Sequence, residues 1–68
     1  MGSIAKVIEI SADSEKSFED ALKRGITEAR DSLRSIQSVW IKDQVVLVSD
    51  GAPDVYRLHL KVTFKVEK

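Results

Sequence analysis

Tyr56-Arg57-Leu58-His59-Leu60-Lys61-Val62-Thr63-Phe64-Lys65-Val66 alternates apolar and polar residues without a break. Its even positions are all apolar, and its odd positions from Arg57 through Glu67 are all polar, the period-two pattern of a strand with one dry face. The dry face requires a core. The other face presents Arg57, His59, Lys61 and Lys65, so it is either solvated or turned toward a partner or ligand.

Just upstream, Ser49-Asp50-Gly51-Ala52-Pro53-Asp54 is rich in turn formers and contains a proline that cannot join a ladder. It predicts a β-hairpin with a loop of about five or six residues. The hairpin's other strand spans Ser38 to Val48. Strict alternation puts Val39, Ile41, Val45 and Leu47 on one face with Asp43, and Ser38, Trp40, Lys42, Gln44, Val46 and Val48 on the other. A first strand is expected from Ile4 to Ile10, where Val7, Ile8 and Ile10 stand between Lys6 and Glu9. Its apolar groups on both faces point to cover from both sides.

Ser11-Ala12-Asp13-Ser14 ends that pattern with helix-capping residue types, and Ser17 followed by Asp20 approximates a capping box whose carboxylate is one methylene short. Between about Ser14 and Ser35, Phe18, Leu22, Ile26, Ala29 and Leu33 recur at intervals of three and four residues, a stripe on one helix face. Gly25 lies inside this helix, where it costs about 1 kcal/mol relative to alanine. The expected reason is close approach of a neighbouring backbone.

The order β-α-β-β has one economical solution. A helical crossover makes the first two strands parallel, and the third, antiparallel to its hairpin partner, inserts between them. The expected architecture is α+β, a three-stranded antiparallel sheet of order 1-3-2 packed on one helix, with residues 1–68 forming a single domain. The helix covers the even face of the last strand and nothing in the chain covers the odd face.

A chain of 68 residues builds only a marginal core unless disulfides, a metal or self-association support it. There are no cysteines and only one histidine, which leaves oligomerisation as the expected support. Eleven Lys and Arg residues balance eleven Asp and Glu residues, so the basic excess of a nucleic-acid binder is missing. No apolar run reaches membrane-spanning length and no secretory signal pattern opens the chain; a soluble, cytoplasmic protein is expected. Met1-Gly2-Ser3 reads equally well as native or as a cloning remnant.

No catalytic signature is present. The glycines are scattered, there is no nucleophilic cysteine, and His59 on a polar strand face reads as a surface or interface residue. Asp50 and Asp54 lack the remaining ligands of a calcium loop and suit the turn. Trp40 is more informative. An indole on an otherwise polar face offers a stacking platform for a planar ligand or an anchor for a neighbouring subunit, and both readings stand.

The whole chain resembles the dodecins. The resemblance runs through Val7-Ile8-Glu9-Ile10, Ser14-Glu15-Lys16-Ser17-Phe18, Ala29-Arg30-Asp31-Ser32-Leu33 and the closing strand from Tyr56 to Val66. It implies assembly into a hollow homododecamer that sequesters flavin without turnover, so riboflavin or FMN is the implied cofactor. The family's stacking tryptophan and ring-reading glutamine fall, in an ungapped comparison, on Ser38 and Arg57. Trp40 lies two residues past the tryptophan position, displaced by about 6 to 7 Å along the strand. Ser38, Trp40, Gln44 and Arg57 are therefore the candidate ligand residues. Dodecin-like proteins lacking the aromatic platform are linked to calcium, which is the alternative ligand implied here.

Overall fold

The computed structural model describes residues 4–66; Met1-Gly2-Ser3 and Glu67, assigned above to the polar face, lie outside them. Four elements follow one another: β1 (Ile4–Ser14), α1 (Phe18–Ser32), β2 (Ile36–Ser49) and β3 (Ala52–Val66). β3 is central, antiparallel to both neighbours, in the order β1-β3-β2. The clean alternation of β3 has this cause, since a central strand facing a helix on one side only must sort its side chains by face.

β1 is longer than expected. Ser11 to Ser14 stay in the ladder, opposite His59, Leu58, Arg57 and Tyr56, because Ala12 is small enough to lie buried beneath the helix and pairing continues as long as β3 supplies partners. The turn into α1 is organised by Ser14, the one buried polar side chain among the described residues. Its hydroxyl donates to Asp20 Oδ2 at 2.6 Å and accepts from the backbone N–H of Lys16 at 2.9 Å. Ser17 caps the helix by accepting from the Asp20 N–H at 3.0 Å. The Asp20 carboxylate, one methylene too short to reach back itself, bonds the Ser14 hydroxyl, whose oxygen faces the Ser17 N–H at 3.4 Å. Ser14 thus stands between the two halves of the box.

The helix runs from Phe18 to Ser32 rather than Ser14 to Ser35, and its buried line is Ala21, Gly25 and Ala29. The larger Phe18 and Leu22 flank that line. Small residues occupy the centre because the helix sits close on β1 and β3. A Cβ on Gly25 would lie 3.0 Å from Leu60 Cδ1 and 3.1 Å from Ala12 Cβ, so side chains of two strands, not a backbone, fill the space that glycine leaves. Leu58, Leu60 and Val62 form the fully buried ridge, and Phe18 meets Tyr56 edge-on at 5.2 Å.

The hairpin turn is tighter than expected. Ser49 pairs with Ala52, leaving Asp50 and Gly51 alone in the turn with φ of 53° and 77°, the two-residue turn with both central residues left-handed that matches strand twist. Pro53 lies at the start of β3, where a register shift tolerates it. A 15-residue helix rises about 22 Å, whereas a 15-residue strand extends about 50 Å. The molecule is accordingly elongated, 55 × 19 × 13 Å, and the distal hairpin carrying Val45, Val46 and Val48 has its apolar groups exposed.

Candidate functional site

The helix-free face of the sheet is assembled from all three strands in register. Asp13, Ser11, Glu9 and Val7 of β1 stand opposite Arg57, His59, Lys61 and Thr63 of β3. Across β3, Val45, Asp43, Trp40 and Ser38 of β2 face the same four residues.

That second set departs from strict alternation. Ile41 pairs with Leu60 and Asp43 with His59, so Lys42 is one residue too many and the strand bulges. A bulge places two residues against one and changes the phase of everything beyond it. Before it the open face takes Ser38, Trp40 and Lys42; after it, Asp43 and Val45. Gln44 therefore stands opposite Leu58, on the helix side of the sheet. Its expected place beside Trp40 and Arg57 is corrected: the period-two reading ran straight through a position where the ladder slips.

The other candidates are on the open face but not together. Ser38 faces Thr63, six residues along β3 from Arg57, about 20 Å at the rise of a strand. Trp40 faces Lys61 and is 61% exposed. The Lys61 ammonium lies 4.9 Å from the centre of its ring, a cation–π contact that presents positive charge beside an apolar plane.

Arg57 is already engaged. Its Nε and second terminal nitrogen donate to the two Asp13 carboxylate oxygens at 2.8 and 3.0 Å, a fork-to-fork pair. The Arg57 hydrogen bond holds the Asp13 carboxyl below its usual range, and Asp13 in turn pushes the guanidinium still higher. His59 meets Asp43 through Nδ1, and Lys42 reaches across β3 to Glu9 Oε1 at 3.4 Å. Two of the face's cations, and His59, are thus held by carboxylates of another strand, contacts that sequence reading did not find. Pairing Ile10 with Leu60 would have exposed the Asp13–Arg57 match; the bulge behind the other two leaves no comparable mark.

Among the described residues, no group of three or more His, Cys, Asp or Glu side chains is placed to hold a metal ion, and no helix is long and apolar enough to cross a membrane. A groove of about 480 Å³ does exist, but it runs between β1 and α1, lined by Ile8, Ile10, Ala12, Gly25, Ala29 and Leu33 among others. It contains none of the four candidate ligand residues.

The dodecin family model matches residues 4–67. The chain is 34% identical over 64 residues to a calcium dodecin of Mycobacterium tuberculosis, covering 94% of this chain and 90% of that protein. The crystal structure of that organism's calcium dodecin, described as calcium chelating with a novel calcium-binding site, superposes with a TM-score of 0.84 over 96% of this chain and 93% of that one. A dodecin from Streptomyces davaonensis, 19% identical, matches in fold with a TM-score of 0.94 over the whole of both chains. Element order, strand order, the whole-length family match and the sequence relative agree, and the chain belongs to the dodecin family.

Proposed function

We propose that this chain is the subunit of a self-assembled dodecin shell, a homododecamer, that holds a small cargo without chemical turnover, with the open sheet face as its cargo-facing wall. The observation that carries this reading is the state of that face. It is uncovered in the single chain, yet carboxylates already hold Arg57 (β3 to β1), Lys42 (β2 to β1) and His59 (β3 to β2). Such a face suits a lined enclosure better than a greasy packing surface. The exposed Val45, Val46 and Val48 of the distal hairpin supply apolar area for subunit contacts.

Calcium is the cargo favoured by the 34% identical relative, which bears it in its name. One subunit does not fit the ion alone, since its described residues gather no set of three ligating side chains and calcium takes six to eight oxygens. The reading therefore requires carboxylates from more than one copy. Light scattering on a sizing column tests the assembly, which at twelve times 7.6 kDa has a mass of about 91 kDa. Calorimetric titration of the chelator-stripped assembly with calcium tests the cargo. A monomer at micromolar concentration would refute the shell, and absence of heat at millimolar calcium would refute the ion.

A second reading, in which the cargo is flavin or a related anionic aromatic, is favoured by the exposed Trp40. It departs from the family's usual arrangement, because Ser38 offers no ring to stack on and Arg57 is tied to Asp13.

A further inference from the structure

Beyond Tyr56 the hairpin outruns β1 and α1. Ser14 with Tyr56 is the last pair that β1 makes, and Phe18, the first residue of α1, meets the Tyr56 ring. Past that row, Val46 to Ser49 and Ala52 to Val55 form a two-stranded arm, an arrangement that is marginal in water by itself. Val46 stands opposite Tyr56, so alternation along β2 puts Val46 and Val48 on the helix side of the sheet, where they are 37% and 64% exposed. The arm's free edge resists strand addition, because β3 carries Pro53 there and shifts register beside it. Its apolar face is what remains to be covered.

The same chain offers a matching surface. Gly25 and Ala29 are too small to close the angle between α1 and β1, and Ile8, Ile10 and Leu33 are left half-buried along the groove of about 480 Å³ described above. From Ile8 to Ala12 the groove runs about 13 Å, and Val46 to Ser49 spans about 10 Å. The arm continues the sheet past the far end of β1, away from the groove, so it cannot fill the groove of its own chain.

We infer that Val46 and Val48 of the arm seat in the β1–α1 groove of a second copy, head to tail. This rests on the shell reading above and names a contact that closes it. An arm face about 10 Å long and 10 Å wide buries on the order of 300 Å² over both partners, well short of the roughly 1,200 Å² of a standard stable pair. A single junction therefore does not hold a dimer. In a closed ring every copy gives one arm and receives one, so each copy is held at two junctions and assembly passes through no populated open dimer.

The chain has no cysteine, so Val48→Cys on the arm and Ser32→Cys at the groove rim introduce the only thiols. A short bismaleimide is added to the assembled protein and the products are separated under denaturing conditions. The double variant is expected to give a ladder of dimers and higher multiples, and either single variant monomer alone. Linkage within a single variant overturns the head-to-tail contact. A double variant that scatters light at the full assembled mass yet gives no ladder overturns the contact and leaves the shell intact, whereas unaltered protein that is monomeric at micromolar concentration overturns both. Val48→Asp lies outside the core and is expected to release monomers with unchanged helical circular dichroism; its assembly at full mass likewise overturns the contact.

Discussion

Replacing Gly25 with alanine sets two opposed effects against each other at one position. In an exposed helix interior the change stabilises by about 1 kcal/mol, since alanine loses less backbone freedom and shields the helix better. Here the added methyl meets Leu60 Cδ1 at 3.0 Å and Ala12 Cβ at 3.1 Å, both tighter than ordinary carbon–carbon contact. Leu60 is fully buried, so its terminal methyl has little room to rotate away. The Ala12 Cβ is fixed to the β1 backbone and yields only if the strand or the helix shifts. Overpacking of this kind costs about 1 to 3 kcal/mol. The net expectation is a loss of about 1 kcal/mol, with the helix lifted slightly from β1.

Urea unfolding at fixed protein concentration measures this, because in a self-associating protein the midpoint also depends on concentration. The midpoint is expected to fall at unchanged slope, and pairing the change with Ala12→Gly is expected to recover part of the loss by removing the fixed partner. A Gly25→Ala protein more stable than the parent by about 1 kcal/mol would show that helix propensity governs the site and that the close approach to β1 and β3 has been misjudged.

Three further outcomes are expected. Asp13 and Asp20 both have folded-state values held below the ordinary 3.8, the first chiefly by Arg57 and the second chiefly by Ser14 with help from Arg24. Their contribution is therefore complete above pH 3.8 and disappears as pH falls through the lower folded values, so Asp13→Asn and Asp20→Asn should each flatten the acid limb of a stability-against-pH curve and leave its alkaline limb unchanged. Ser17→Ala removes the acceptor for the Asp20 N–H and is expected to lower stability by about 1 kcal/mol, read from thermal unfolding by circular dichroism; an unshifted melt would remove Ser17 as the cap. Gly51→Ala forces a side chain to φ +77° with nothing nearby to compensate and is expected to cost about 1 to 2 kcal/mol, whereas Gly51→Asn, which tolerates that conformation better, should cost less.

The extent to which the site could be read from sequence follows from which residues act locally. Trp40 and Lys61 were placed correctly because alternation holds without interruption from Ser38 to Ile41 and throughout the opposing part of β3. Gln44 was misplaced because the extra residue at Lys42 is invisible to composition: neither Lys42 nor Asp43 is a glycine or proline, the usual marks of a bulge. Arg57 entered the candidate set through the family resemblance, and its pairing with Asp13, 44 residues away, leaves no mark in the local sequence. Asp13 also falls among the helix-capping residue types beyond Ile10, the expected end of β1.

The sequence by itself determined the faces of β3, the order of elements, the 1-3-2 sheet and the serine that starts the helix. Each of these depends on periodicity or on contacts within a few residues, and such patterns survive in one dimension. Tertiary structure alone decided which residues of β2 look onto the open face, how far β1 extends, and which cations are already neutralised. Register and bulges are properties of a strand pair, set by where hydrogen bonds close between two chains of unequal residue count, and no single strand records them. The polar face of Tyr56–Val66 was legible as a surface; that Arg57 and His59 meet carboxylates of neighbouring strands while Lys61 rests on the Trp40 ring appeared only when its neighbours were in place.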